Sequence, residues 1–300
     1  MDLLSRRTEN IVLWILTIGM LASAIICGIR LGDFWGSDGM GILAVWGMLF
    51  SSYHCIKRYG VKDFLVFFCL VFVIASVYEN LSILTTFPFG RYYYTDDIGI
   101  KLLYVPVNIN FAYFQMLYIT WTLADAVIGK CDNRPAGIAV IIKPVVASIF
   151  MVIWDLLFDP FMSTISQRWI WLDGGFYFGV PVSNFYGWFL CVFTMALLFS
   201  LYLWRKNKNN PEQAEAIQYS RINWLQFVLF YFSWILCFII MGLSADATEM
   251  VVAADGRAWY IRHILQTCGL VGLFTAGFVS VIILLQLRRV PQCAYVEQMD

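Results

Sequence analysis

The sequence has very little charge and almost no histidine. Only 13% of its 300 residues are charged, 61% are hydrophobic, the formal net charge is zero and the mean hydropathy is +0.73. This composition excludes an ordinary soluble domain, and the zero net charge suggests no nucleic-acid or acidic-surface partner. The two histidines, His54 and His263, are far apart in the sequence. That separation argues against a metal site built on histidine.

Paired cysteine motifs are also lacking. The eight cysteines are scattered along the chain without a CxxC motif, so neither a zinc site nor a disulfide framework is indicated. Long hydrophilic regions are absent apart from residues 205–221, which we interpret as a cytoplasmic loop. The sequence therefore predicts one integral membrane domain over residues 1–300.

Long apolar runs are abundant. Because about 20 apolar residues span a bilayer, the sequence predicts an all-α, polytopic transmembrane helix bundle of about eight spans. This arrangement puts 14 basic residues on one side and 6 on the other, and the positive-inside rule then places both termini in the cytoplasm. The predicted spans are residues 11–29, 39–56, 63–84, 103–125, 137–159, 180–204, 222–244 and 263–287.

Three carboxyl groups lie inside or at the ends of these apolar runs. Glu79, Asp155 and Asp159 have no basic residue within one helical turn. An ionisable group in hydrocarbon costs about 2.5 kcal/mol or more, so all three are candidate catalytic residues. Asp155 and Asp159 are one turn apart and share a helix face, so we expect one of the pair to keep its proton.

Aromatic and amide side chains are concentrated near the same level of the chain. Aromatic faces stabilise cations by roughly 2 kcal/mol or more when desolvated, and amides can orient acids or hold a water molecule. An acid beside an aromatic cage suits the protonation of an alkene to a tertiary carbocation. The candidate substrate-binding residues are Asn80, Tyr92, Tyr94, Asn108, Trp154, Trp169, Trp171, Tyr177, Phe178, Asn184 and Trp188.

Other interpretations of the same residues stay open. The aromatic loops could be interfacial belts, and the acids could cap helices or pair with Arg91 and Arg168. The two aspartates, with Asp96-Asp97 as a partner cluster, have the spacing of acidic pairs that hold Mg²⁺ on a prenyl diphosphate. Acids within eight apolar helices also fit an ion-coupled transporter or a receptor.

A faint internal repeat relates residues 63–125 to residues 137–204. Glu79 and Asp155 are 76 positions apart, and each is followed by an aromatic, glycine-containing loop and then by a helix that opens with Val-Pro. The repeat predicts two parallel hairpins that face each other across a shared cavity. We expect Glu79, Asp155 and Asn184 to converge there, in the non-cytoplasmic half of the bundle.

These residues together resemble the carotenoid biosynthesis membrane-protein family, whose members include carotenoid hydratases. The resemblance covers roughly residues 75–190, and the flanking helices only by hydropathy. It departs at Thr86, where we expect the family's glycine, and at the polar start of the span at residues 108–113. The matching motifs are Glu79, Thr85, Pro88-Phe89-Gly90, Tyr92, Tyr94, Val105-Pro106, Asp155, Asp159-Pro160, Trp169, Gly175, Tyr177-Phe178-Gly179-Val180-Pro181, Asn184 and Gly187-Trp188.

The resemblance implies an integral membrane enzyme that acts on a hydrophobic isoprenoid or carotenoid within the lipid bilayer. We expect Asp155 or Glu79 to protonate a terminal alkene, with Asp159 mainly tuning Asp155. A water molecule held by a carboxylate and Asn184 would capture the cation, and no cofactor is needed. A terpene cyclase with the same initiation is an alternative. The two reactions differ only in whether water or an internal alkene captures the cation, which depends on whether the pocket holds water. Mg²⁺ enters only under the prenyl diphosphate alternative.

Overall fold

The computed structural model describes residues 3–29, 38–128, 135–209 and 221–286. Within these ranges the chain forms seven helices that are long and apolar enough to cross a membrane. The prediction of an all-α, multi-pass membrane bundle is therefore confirmed. The helices are α1 (Leu3–Ile29), α2 (Asp38–Thr85), α3 (Val107–Ile128), α4 (Ala139–Asp159), α5 (Val182–Asn209), α6 (Arg221–Ser244) and α7 (Ile261–Gln286).

Helix α2 contains two of the predicted spans, because the chain reverses direction at Gly60. The backbone there has φ 82° and ψ 166°, a conformation open to glycine and outside the helical region. Before Gly60, α2 runs parallel to α3, and after it α2 runs antiparallel. The contacts that show this reversal are Ser51 Oγ with Gln115 O at 2.9 Å, Arg58 with Asp125 at 2.6 Å, the rings of Phe67 and Trp121 at 6.5 Å, and Tyr113 with Glu79 at 2.7 Å.

Helix α3 lies at the centre of the bundle. It packs against α2, α4, α5, α6 and α7, and 78% of the residues in its most apolar 18-residue stretch are buried. Helix α1 packs on α2 and α6, while α7 packs on α6 and α4. Because α3 is surrounded by other helices rather than by lipid, its polar side chains face protein groups that can satisfy them.

Three short ribbons connect helices at one end of the bundle. Strand β1 (Tyr92–Tyr94) pairs antiparallel with β4 (Trp169–Trp171), which joins the loop after α2 to the loop after α4. Strands β2 (Lys101–Leu102) and β3 (Val105–Pro106) form a second ribbon, and β5 (Met250–Val252) and β6 (Ala258–Tyr260) form a third. The predicted spans leave out β1, β2, β4, β5 and β6, but the predicted span 103–125 contains β3. Helix α3 therefore begins later than predicted, at Val107, because Val105–Pro106 pairs with Lys101–Leu102.

The end of α4 is also irregular. The chain continues beyond Asp159 as a π-helical segment, Pro160–Ile165. Proline has no N–H to donate to the preceding turn of an α-helix, so a wider turn is a natural continuation. This segment extends the predicted span 137–159 by six residues and carries Ser163 and Thr164.

Candidate active site

A cavity lies where the β1–β4 ribbon meets the ends of α2, α3, α4 and α5. It contains about 400 Å³ of space not filled by atoms, which includes space open to the surroundings. Nine of the candidate residues from the sequence lie on its wall. The lining residues are Glu79, Phe89, Tyr92, Tyr94, Ile109, Ala112, Trp154, Phe158, Asp159, Trp169, Trp171, Asn184 and Trp188.

Glu79 is held by three tyrosines. The Tyr92 hydroxyl donates a short hydrogen bond to Oε2, Tyr94 donates to the same oxygen at 3.0 Å, and Tyr113 donates to Oε1 at 2.7 Å. Burial, together with the nearby charge of Glu79, raises the pKa of Tyr92 and of Tyr94 well above the ordinary value. Both phenols therefore keep their protons and remain available as neutral donors.

Asp159 is held by a different set of donors. The indole N–H groups of Trp169 and Trp171 donate to Oδ1 at 2.9 and 3.0 Å, and the Asn184 amide donates to Oδ2 at 2.6 Å. Asp159 is almost fully buried. Within the described part of the chain, no basic side chain pairs with Asp159 or with Glu79.

The β1–β4 ribbon supplies two of the three donors to each acid. Its register places Tyr92 opposite Trp171 and Tyr94 opposite Trp169. Alternate residues of a strand point to the same face, so these four aromatics share the buried side of the ribbon. The two tyrosines reach Glu79 and the two tryptophans reach Asp159, although the four residues come from two distant loops.

Asp155 lies behind the cavity wall. It is completely buried, and its Oδ2 accepts a hydrogen bond from Asn184 at 2.9 Å. Its other oxygen, Oδ1, has no hydrogen-bond partner among the described residues. Asn184 thus bridges the two aspartates, with Asp159 facing the cavity and Asp155 set back from it.

Besides Asp155, four of the candidate residues lie outside the cavity wall. The Asn80 side chain accepts from the backbone N–H of Tyr104 at 3.1 Å, and Asn108 is exposed and donates to Ile98 O at 3.1 Å. The Tyr177 hydroxyl donates to Leu156 O at 3.0 Å, and the Phe178 ring packs against Trp259 at 5.1 Å. These side chains support loops and helix ends around the site.

Several residues near the cavity were not among the sequence candidates. Tyr113 donates to Glu79 and stacks on Trp188 at 4.3 Å, while Phe89, Ile109, Ala112 and Phe158 complete the apolar wall. Phe89 could have been found, because it belongs to the Pro-Phe-Gly motif that follows the first acid. For Ile109 and Ala112, which resemble any other apolar residue of a span, the sequence carries no signal.

Steric constraints explain why glycine is favoured at two positions of this region. Gly187 brings α5 close to the loop after α2, since a Cβ there would lie 2.6 Å from the Phe89 ring. Thr86 has φ 68°, a left-handed conformation in which glycine is favoured. The glycine expected at this position would adopt this conformation without strain, whereas Thr86 adopts it at a cost in backbone strain.

Several other charged groups at this end of the bundle form ion pairs with one another. Arg91 contacts Asp173 at 2.5 Å on the surface, and Lys101 contacts Asp96 at 2.9 Å. Over the ranges that the structure describes, no three potential ligands gather as they would around a metal ion. The two cavity acids are therefore separated from the surface charges of their own loops.

Comparison with known proteins places the chain in a family. The family described as "Carotenoid biosynthesis protein" matches residues 39–254. The bisanhydrobacterioruberin hydratase of Haloarcula japonica is 29% identical over 163 residues, which cover 52% of this chain and 53% of that protein. The match thus spans about half the length of that relative, and no solved structure matches. Because the family match covers most of its length, the chain, an integral multi-pass membrane protein, belongs to the carotenoid biosynthesis protein family.

Proposed function

We propose that this protein adds water to a terminal alkene of a carotenoid or a related isoprenoid. The observation that carries the proposal is a pair of acids, Glu79 and Asp159, on the wall of one aromatic cavity, each bonded only to neutral donors. The hydratase name of the Haloarcula japonica relative supports this choice of reaction.

The donors around each acid suggest its role. The three groups that bond to Asp159 are N–H donors, which cannot accept a proton in return, so they favour the carboxylate form. The three groups that bond to Glu79 are hydroxyls, which can donate or accept. Glu79 can therefore hold a proton or release it without losing its partners, whereas Asp159 is suited to act as a base.

The proposed reaction begins with proton transfer from Glu79 to the less substituted alkene carbon, which leaves a tertiary cation on the other carbon. The faces of nearby rings, among them Trp154 and Trp188, stabilise this cation. A water molecule held by Asp159 and Asn184 attacks the cation, and its proton passes to Asp159. Substrate and water combine without any change of oxidation state, so no redox partner is involved.

Product mass and solvent deuterium test this proposal. Purified protein is incubated with acyclic carotenoids and shorter isoprenoids in D₂O, and the product masses are measured by mass spectrometry. The expected product has gained one water and carries one deuterium on carbon. An isomer that has exchanged hydrogen for deuterium but gained no water would indicate a cyclase, activity that needs Mg²⁺ would indicate prenyl diphosphate chemistry, and solute flux without an isoprenoid product would indicate a transporter.

Two variants separate the acid from the base. Glu79→Gln should abolish both hydration and deuterium uptake, since no proton reaches the alkene. Asp159→Asn should lose at least about 10²-fold in hydration. The recovered alkene should still gain deuterium, because the cation forms by addition of a deuteron and then loses a hydrogen in its place. If Asp159→Asn hydrates at the normal rate, Asp159 is not the base.

A further inference from the structure

A second, smaller cavity lies beside the candidate active site. It encloses about 250 Å³ of unfilled space between the π-helical segment and the β5–β6 hairpin. Gln167, Val252 and Ala254, which line it, are exposed, so this cavity opens to the surface at the hairpin end of the bundle. The surface around it is solvated, since Asp255 and Arg257 of the same hairpin form an exposed ion pair.

One side chain borders both cavities. Trp171 lines both, and it is the only lining residue that they share among the described residues. Its indole N–H donates to Asp159 Oδ1 at 3.0 Å. A molecule that passes Trp171 from the outer cavity therefore arrives next to Asp159.

The outer cavity has groups that suit water. The Ser163 hydroxyl donates to Asp159 O at 2.8 Å, and the Thr164 hydroxyl donates to Phe178 O at 2.5 Å. Each hydroxyl keeps acceptor capacity after donating once. Both belong to the π-helical segment that begins directly after Asp159, and such segments are frequent at functional sites.

The reaction itself creates a need for such a route. Each hydration consumes one water molecule, and afterwards a proton must return from Asp159 to Glu79. The active-site cavity is lined mainly by aromatic and other apolar side chains, which hold water poorly. We propose that the outer cavity is the water entrance of the hydratase, with Trp171 as its gate. This inference rests on the proposed function.

Reversible blockage of the entrance tests the inference. Ala253 lines the outer cavity and lies on the hairpin, whereas Ala247 is exposed, precedes the hairpin and does not line the cavity. Ala253→Cys is labelled with a bulky, charged methanethiosulfonate reagent, and complete labelling is checked by mass. Hydration should fall at least about tenfold and return on reduction of the mixed disulfide. Labelled Ala247→Cys and the reagent-treated unaltered chain, which has its own cysteines, should keep full activity.

A second measurement is independent of turnover. Hydroxyl radicals generated in a short pulse should oxidise Trp171, because water reaches it, and labelling of Ala253→Cys should protect it. Normal hydration by the fully labelled variant, or a Trp171 that is never oxidised, would overturn the entrance. If the unaltered chain hydrates no isoprenoid while Trp171 shows this protection, the water route stands and the proposed function fails.

Discussion

Two clusters of buried polar groups lie at opposite ends of α3, and they are built differently. At one end Asp125 contacts Arg58 at 2.6 Å and Lys143 at 2.5 Å, and the Lys143 ammonium lies 3.8 Å from the centre of the Trp121 ring. At the other end Tyr113 bonds to Glu79, and the acids there contact neutral donors. Twelve residues of α3 separate the two levels, roughly 18 Å along the helix axis.

The comparison shows how partners decide what a buried acid can do. Asp125 forms ion pairs with two cations, and removing its charge leaves those cations without this partner. Glu79 has hydroxyl partners that accept either of its protonation states. We interpret the charged cluster of Arg58, Asp125 and Lys143 as structural and the acids of the cavity as chemically active.

The largest effect is expected from Glu79→Gln. The amide keeps the shape of the side chain but cannot deliver a proton as an acid, so turnover should fall by about 10²- to 10⁴-fold. Turnover per folded protein is measured with the product assay, and folding is checked by gel filtration in detergent. Glu249→Gln, a change at an exposed position, serves as the control and should behave as the unaltered chain. Near-normal turnover in Glu79→Gln would contradict the interpretation that the acids of the cavity are chemically active and the charged cluster at the other end of α3 is structural.

Asp125→Asn should affect stability instead of chemistry. Removing one partner of a buried ion pair typically costs 3–5 kcal/mol, so we expect a loss of about that size in the free energy of unfolding. Turnover per folded protein should stay unchanged. Thermal unfolding in detergent, followed alongside the product assay, checks both expectations. A variant that stays stable and loses turnover would show that the charged cluster takes part in the reaction.

Asp155→Asn should have a smaller effect on turnover, about tenfold, below the usual range for an acid or base that acts directly. Asparagine still offers an oxygen to the Asn184 amide, and Asp155 is set back from the cavity. From the sequence we expected Asp155 to matter more than Asp159. A side-by-side assay of Asp155→Asn and Asp159→Asn shows which aspartate matters more for turnover. A larger loss in Asp155→Asn would mean that the reacting carboxyl is that of Asp155, behind the cavity wall.

Arg91→Ala should have the smallest effect. Arg91 and Asp173 are more than half exposed, and such surface pairs contribute about 0.2–1 kcal/mol. Turnover should remain normal, and the unfolding temperature should change little. Asp173→Asn is the matched control, because it breaks the same ion pair from the other side. A large loss of turnover in Arg91→Ala alone would mean that Arg91 contributes to the site.

The helices and the acids could be predicted from the sequence, and the ribbon could not. Apolar runs of bilayer length identify the spans, including the two that α2 joins at Gly60. Strands of three residues are too short to show a reliable alternation, so Tyr92–Tyr94 and Trp169–Trp171 resembled ordinary aromatic loops. Their pairing depends on contacts between segments that are about 77 positions apart.

Asn108 and Asn184, which are 76 positions apart like the two acids of the repeat, show a related limit. Asn184 bridges two aspartates, whereas Asn108 is exposed and bonds to a loop carbonyl. Both follow a Val-Pro pair, but Asn108 is two residues after its proline and Asn184 is three residues after its own, so they lie on different sides of their helices. The difference arises because the helix that carries Asn184 faces the aspartates of α4, while Asn108 meets the loop after β1. The repeat itself stays a prediction.

The register of the ribbon restricts how this family member can change its loops. Side chains alternate along a strand, so inserting a single residue within 92–94 or 169–171 would put the two aromatic side chains of that strand on opposite faces. Glu79 would then lose one of its tyrosines, or Asp159 one of its tryptophans. Insertions in these strands must therefore come in even numbers, or be absorbed by a bulge, and the loops can lengthen freely only outside the paired triplets.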